Sequence, residues 1–265
     1  MQNVTLLTRE IKPKNAAKTP IVAVMGLFDG VHVAHQALIM AAGNRAAELS
    51  GALLVYTFDR NPLEIASPAR APKPIMPIDA KIKAISAAAK RSGASKTYVL
   101  ARPFNILFSQ LQPERFIKSF KDEWNFAEIF VGFNYTFGAS GKGTVGSLRA
   151  YGEKYGFNLN EMQPVKFENA VVSSTRIRRD ITAGNVETAA AMLGKPFRVY
   201  GRFEGGMFVP KGNQVALGDG VYRAVIAGEP YELAVANGIM TMRGFTNTAF
   251  LAFDIARREN ERMKN

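Results

Sequence analysis

The chain has 265 residues, nearly half of them hydrophobic, enough for one large domain or two smaller ones with a sizeable core. It has no cysteine, which excludes disulfides, thiolate chemistry and thiolate metal sites. A net charge of +12 suits an anionic partner. Lys and Arg are spread along the chain, however, and the closest thing to a basic tail, Arg257 to Lys264, is broken by Glu259 and Glu261, so we expect no nucleic-acid partner.

The opening "MQNVTLLTREIKPKNAAKTP" lacks the apolar core of a signal peptide. No apolar run approaches the roughly 20 residues of a membrane-spanning helix. These features predict a soluble, cytoplasmic protein without a membrane partner. "IVAVMG" (Ile21–Gly26) then reads as a buried strand ending in glycine. "AHQALIMAAGNRAAELSG" has apolar residues at helical spacing, with Gly51 as a stop. "ALLVYTF" (Ala52–Phe58) reads as a second strand, and "IDAKIKAISAAAKRSG" as a helix capped by Asp79. "KTYVL" (Lys96–Leu100) is a third strand, and "PERFIKSFKDEW" a helix with proline in its first turn. "AEIFVG" (Ala127–Gly132) is a fourth strand, "VGSLRAYGEKYG" a helix, and "FNLNEMQPV" a fifth strand.

This alternation through Val165 predicts a parallel sheet with helices on both faces and a ligand site at the carboxyl ends of the strands. "GLFDG", "DRNP", "ARPF" and "GFNYTFG" follow the first four strands there. "SSTRIRRDITAGNVETAAAMLGKPF" reads as two short helices, broken near Gly184 and stopped by Gly194 and Pro196. Beyond it, "FRVYGRF", "GVYRAVIA", "YELAVAN", "IMTMRGF" and "TAFLAFDIA" are β-like runs separated by turn signals. They predict a small antiparallel, barrel-like unit.

The two histidines of the chain, His32 and His35, stand three positions apart where the first strand ends and a helix begins. One reading is a cap with backbone contacts. A metal pair would need carboxylates such as Asp29, and we assign no protein metal ligand. The position favours an anion: free N–H groups and the helix dipole gather negative charge there. Two imidazoles in the first turn would donate to the same phosphate as its charge rises during phosphoryl or nucleotidyl transfer. A nucleoside triphosphate is the natural anion. At the second helix start, Ser173, Ser174 and Thr175 are good caps, with Arg176 and Arg178 able to converge on phosphate.

"GLFDGVHVAH" resembles the G-x-F-D-G-x-H-x-G-H signature of prokaryotic FAD synthetases, the bifunctional riboflavin kinase/FMN adenylyltransferases. "TFDRNP" is similar to their T-F-D-P-H-P, "FNILFSQLQPERF" to F-x-x-x-F-(S/A)-x-L-x-P-E-x-F, and "VGFNYTFG" to V-G-x-(N/D)-(F/Y)-x-F-G. The stretch from Val172 to Phe203 resembles their S-S-T-x-I-R segment and the helix pair after it. The resemblance implies an α/β fold: a Rossmann-like parallel-sheet nucleotidyltransferase domain over residues 1–195, then a reduced riboflavin-kinase-like antiparallel β-barrel-like domain over 196–265. It implies an ATP-dependent FMN adenylyltransferase in riboflavin metabolism, making FAD and pyrophosphate from ATP and FMN with Mg2+. His32, His35, Asn134 and Arg178 would be catalytic. Gly26, Phe28, Asp29, Gly30, Ser173, Ser174, Thr175 and Arg176 would bind ATP. Phe58, Asn61, Pro62 and Phe137 would line the flavin side.

Some positions depart from the pattern. Ala34 replaces the glycine of H-x-G-H, and its methyl group stands where a nucleotide would lie. Arg60 and Asn61 replace the first proline and the histidine of P-H-P, and Gly141 falls where relatives often carry arginine. In the C-terminal part "GRFEGG", "LGDGVYRAVI" and "YELAVANG" resemble pieces of the kinase module. Its G-F-P-T-A-N motif and later acidic segment are missing, so we expect no riboflavin kinase activity. Two other readings remain open: a nucleotidyltransferase with another acceptor, and a noncatalytic flavin- or nucleotide-binding regulator. The sequence assigns no oligomeric state.

Overall fold

The computed structural model describes residues 3–7, 19–243, 245 and 251–259. They form two compact units: Met1–Pro72 with Lys81–Val165, and Lys73–Ala80 with Lys166–Asn265. The part of the interrupted basic run that lies beyond Glu259, and the first three residues of "TAFLAFDIA", lie outside the described residues.

The first unit is built on a parallel sheet of six strands: β1 (Asn3–Leu7), β2 (Ile21–Met25), β3 (Ala52–Phe58), β4 (Lys96–Arg102), β5 (Glu128–Gly132) and β6 (Asn158–Met162). Their order is β1-β4-β3-β2-β5-β6, and every neighbouring pair is parallel. The central strands are mostly apolar because both faces are covered. Ile21 to Met25 and Ala52 to Tyr56 are all buried. Side chains alternate between faces. Ala23, Met25, Leu54, Tyr56, Leu100, Ile129 and Val131 pack with Phe116, Ile117, Phe120 and Trp124 of α5 (Pro113–Trp124) and Leu148 of α6 (Val145–Tyr155). Leu53, on the opposite face, lies beneath α1 (Val33–Glu48), whose Gly43 has no room for a β-carbon: Ser92 would be 2.0 Å away and Leu53 3.4 Å.

From β2 the chain proceeds to β3 on one side, and from β5 to β6 on the other. The switch point therefore lies between β2 and β5, and the crevice outside their carboxyl ends is the default ligand position in such sheets.

The five strands expected here are present, and β1 is a sixth, at the edge beside β4. Its short, half-polar sequence gives no strong periodic signal. Asp79 falls inside the first turn of α3 (Ile78–Lys90) rather than ahead of it, and it pairs with Lys211 at 2.9 Å within the second unit.

The second unit holds a small hairpin of β7 (Lys166–Phe167) and β8 (Ala170–Val171), then α7 (Ser174–Ala183) and α8 (Val186–Leu193). Gly184 and Gly194 end these helices in the left-handed conformation. A closed antiparallel barrel follows: β9 (Phe197–Glu204), β10 (Met207–Pro210), β11 (Gly220–Ile226), β12 (Glu229–Ala236), β13 (Ile239–Met242) and β14 (Leu251–Glu259), in the order β10-β13-β12-β11-β14-β9. The sequence reading missed β10, four residues ending in proline. Along β9 burial alternates strictly, with Phe197, Val199, Gly201 and Phe203 inward. Arg258 ties the helix pair to the barrel, donating to the carbonyls of Ala183 (3.2 Å) and Asp219 (2.9 Å), while its backbone N–H donates to Glu187. Among the described residues no helix is long and apolar enough to cross a membrane.

Candidate active site

After β2 the backbone turns sharply. Gly26 sits against Phe28, whose ring carbons would be 3.0 Å from any β-carbon there. Phe28 (φ +52°), Gly30 (φ +79°) and Val31 (φ +44°) are all left-handed. That conformation costs little for glycine but is a real outlier for β-branched valine. Such strain persists where the surroundings over-determine it, and it gathers at functional sites. The turn closes with the Val31 N–H on the Phe28 carbonyl (3.2 Å) and the Gln36 amide on the Val31 carbonyl (2.9 Å).

His32 is the N-cap of α1. Its Nδ1 accepts the His35 backbone N–H at 3.4 Å. An accepting Nδ1 carries no hydrogen, so in the neutral ring the hydrogen sits on Nε2. His32 is 4 % exposed. The His35 ring stacks on it with centroids 3.5 Å apart and 15° between planes, and meets the Phe28 ring edge-on at 5.2 Å. His35 Nδ1 is buried without a hydrogen-bond partner among the described residues. Burial above all, then the neighbouring His32 and Lys81, hold the His35 imidazole well below its ordinary protonation range. Two stacked imidazoles, that of His35 held neutral, thus stand at a helix N-terminus beside the switch point.

The loop after β5 faces the same crevice. Tyr135 closes a turn on the Gly132 carbonyl (3.0 Å), and its hydroxyl reaches Met25 Sδ at 3.7 Å. Asn134, at the tip of that turn, is exposed. Phe137 is buried, stacked on Tyr135 with centroids 5.6 Å apart, and exchanges backbone hydrogen bonds with Gly143. At the end of β3, Phe58 is half-buried in an aromatic group with Tyr56, Phe104 and Phe108, at 5.0–5.6 Å. Asp59 accepts the Phe104 N–H at 2.9 Å. Asn61 accepts the Leu63 N–H at 3.0 Å beside half-buried Pro62, starting a short helix, α2 (Leu63–Ala66).

Lys81, which the sequence reading did not single out, is buried at these strand ends. It donates to the carbonyls of Leu27 (3.1 Å) and Phe58 (2.7 Å). The signal was present in its spacing: Lys81, Ile85, Ala88 and Ala89 form one buried stripe of α3.

The Ser173–Arg178 segment belongs to the second unit. Ser173 caps α7 by accepting the Arg176 N–H at 3.2 Å. Ser174 and Thr175 form the first turn, with Thr175 exposed and Ser174 and Arg178 half-buried. The Arg176 guanidinium is spent on the preceding hairpin, donating to the Phe167 (2.8 Å) and Ala170 (3.2 Å) carbonyls and covering the Phe167 ring at 5.6 Å.

The profile of the FAD synthetase family matches residues 14–176. The chain is 32 % identical over 182 residues to a bifunctional riboflavin kinase/FMN adenylyltransferase of Pseudomonas fluorescens, covering 68 % of this chain and 56 % of that protein. A protein of the same name from Buchnera aphidicola subsp. Acyrthosiphon pisum is 29 % identical over 240 residues, 86 % of this chain and 75 % of that one. The chain thus spans little more than half the length of the first of these relatives. In fold it is similar to a crystal structure named as a macrolide-efflux protein from Streptococcus pneumoniae, with a TM-score of 0.76 at 23 % identity over 97 % of this chain and 91 % of that one. The family's matched span runs from before β2 to the start of α7 and so contains both histidines, the Asn134 turn and the Ser173 cap; the chain belongs to the FAD synthetase family.

Proposed function

We propose that this chain is an FMN adenylyltransferase, which transfers AMP from ATP to FMN and releases pyrophosphate. The observation that carries the reading is the stacked pair of imidazoles at the N-terminus of α1, with His35 held neutral by burial. A triphosphate there meets the positive end of a helix dipole and the His32 Nε2–H. His35 is held neutral until an anion arrives, so a bound phosphate favours its protonation. One FMN phosphate oxygen attacks the α-phosphorus of ATP. The bond from that phosphorus to the bridging oxygen breaks, and its electrons leave on pyrophosphate. FMN phosphate is ionised near neutrality, so the step needs positioning and charge stabilisation rather than a strong base.

Asn134 serves as a polar contact at the crevice, and Gly26, Phe28, Asp29 and Gly30 shape the nucleotide side. Ser174, Thr175 and Arg178 hold ATP, while Arg176 stabilises the hairpin that leads into them. Phe58, Asn61, Pro62 and Phe137 flank the flavin side. Among the described residues no three His, Asp or Glu side chains converge on a metal position. The family resemblance implies a divalent ion carried on the substrate's own phosphates, and no step is routed through protein ligands. In this reading residues 1–195 act as the transferase. Residues 196–265 form a barrel without kinase activity, supported by the missing G-F-P-T-A-N motif.

Incubation with ATP and magnesium plus either FMN or riboflavin, read by chromatography, tests this. FAD from FMN and nothing from riboflavin is the expected result. FMN or FAD from riboflavin overturns the loss of the kinase. Arg60 and Asn61, in place of the family's proline and histidine, favour a second reading, another acceptor. Pyrophosphate release with a different acceptor, and none with FMN, selects it.

A further inference from the structure

Lys81 is 7 % exposed, an unusual place for an ammonium. Its Nζ lies 2.7 Å from the Phe58 carbonyl, 3.1 Å from the Leu27 carbonyl and 3.4 Å from Thr57 Oγ1. Thr57, wholly buried, donates its own hydroxyl to the Leu27 carbonyl at 3.1 Å. Leu27 opens the strained turn that carries His32 and His35. Phe58 ends the adjacent strand, from which the Asp59–Pro62 loop departs. One cation therefore satisfies carbonyls on both segments at the point where each leaves the sheet. A neutral apolar side chain would leave the Phe58 carbonyl without this partner.

We propose that Lys81 is a positioning residue of the nucleotidyl-transfer site, tying the histidine turn to the end of β3 and so fixing where the two imidazoles stand. This inference rests on the reading of that site given under Proposed function. The surrounding charges fit. Asp29, Asp59 and Glu64 favour the ammonium, His35 feels it as a like charge, and burial pulls the Lys81 pKa down to about 8. An untied turn retains both histidines but displaces them, and displacements of an ångström are costly for in-line chemistry.

Lys81→Met, similar in length and uncharged, is the test. In the folded variant we expect kcat for FAD formation to fall about 10- to 100-fold with the KM for ATP within about threefold. Because the chain has only two histidines, proton NMR resolves their C2–H signals. In the ligand-free variant the His35 titration should move upward. A folded variant with wild-type kcat and an unmoved His35 titration overturns the proposal. If wild type makes no FAD, the transferase reading fails by itself, and the His35 titration still decides whether Lys81 acts on the imidazole. If Lys81→Met does not fold, the wild-type protein answers. The Lys81 ammonium, followed with nitrogen-15-labelled lysine, should titrate near 8 with a matching inflection in the His35 signal. Absence of that inflection overturns the coupling.

Discussion

Two of the helix starts capped by local side chains, those of α1 and α7, do different work with them. At α1 the cap is an imidazole, and the residue three positions on is a second imidazole stacked on the first. Nothing else among the described residues takes up His35 Nδ1. At α7 the cap is Ser173, and the arginine whose N–H it accepts bends back to hold a hairpin. The first start leaves His35 Nδ1 without a partner among the described residues. The second spends its largest cation on its own fold. A helix N-terminus attracts anions by its dipole alone, so what separates the two is where the neighbouring side chains are committed.

The largest effect should come from the first start. His32→Ala or His35→Ala should lower kcat for nucleotidyl transfer about 10²- to 10³-fold. The chromatographic assay for FAD measures this, and a change below about threefold would erase the contrast. Arg176→Ala should act mainly on stability, by about 1–3 kcal/mol, because two hairpin carbonyls lose a charged donor. Urea denaturation reads that loss, and a stable variant that fails to bind ATP would make both starts alike. Gly26→Ala should push the Phe28 ring off His35 and cost about 1–2 kcal/mol, visible in the melting temperature and in the His35 NMR signal.

The smallest effect is on pH dependence. Because the folded protein holds His35 below its unfolded protonation range, the unfolded chain binds the extra proton first as pH falls. The stability linked to His35 is thus present above about pH 6.5 and is lost progressively below it. Wild type should lose more denaturation midpoint than His35→Gln between about pH 7 and about pH 5. Equal losses would mean that His35 is not the group responsible.

Much of the central architecture was legible in the chain. The apolar runs at Ile21–Met25 and Ala52–Phe58 predict buried parallel strands, and Gly184 and Gly194 mark the ends of the helix pair. Amphipathic α5 matches its expected span, Pro113–Trp124. The half-polar edge strand β1 and the four-residue β10, which ends in proline, were not legible, because so brief a strand is specified by the neighbour it pairs with rather than by its own periodicity.

The site divides in the same way. By itself the sequence determined that two histidines follow a strand and a glycine-containing turn, since that depends only on local order and spacing. Tertiary structure alone decided that His32 caps the helix, that His35 lies stacked and neutral against it, and that Arg176 is committed to a hairpin. It also decided that a lysine on the buried stripe of α3 reaches the carbonyls at the ends of two strands. The burial of His35 and the reach of Lys81 to Leu27 and Phe58 depend on groups distant in the chain, which no local pattern encodes.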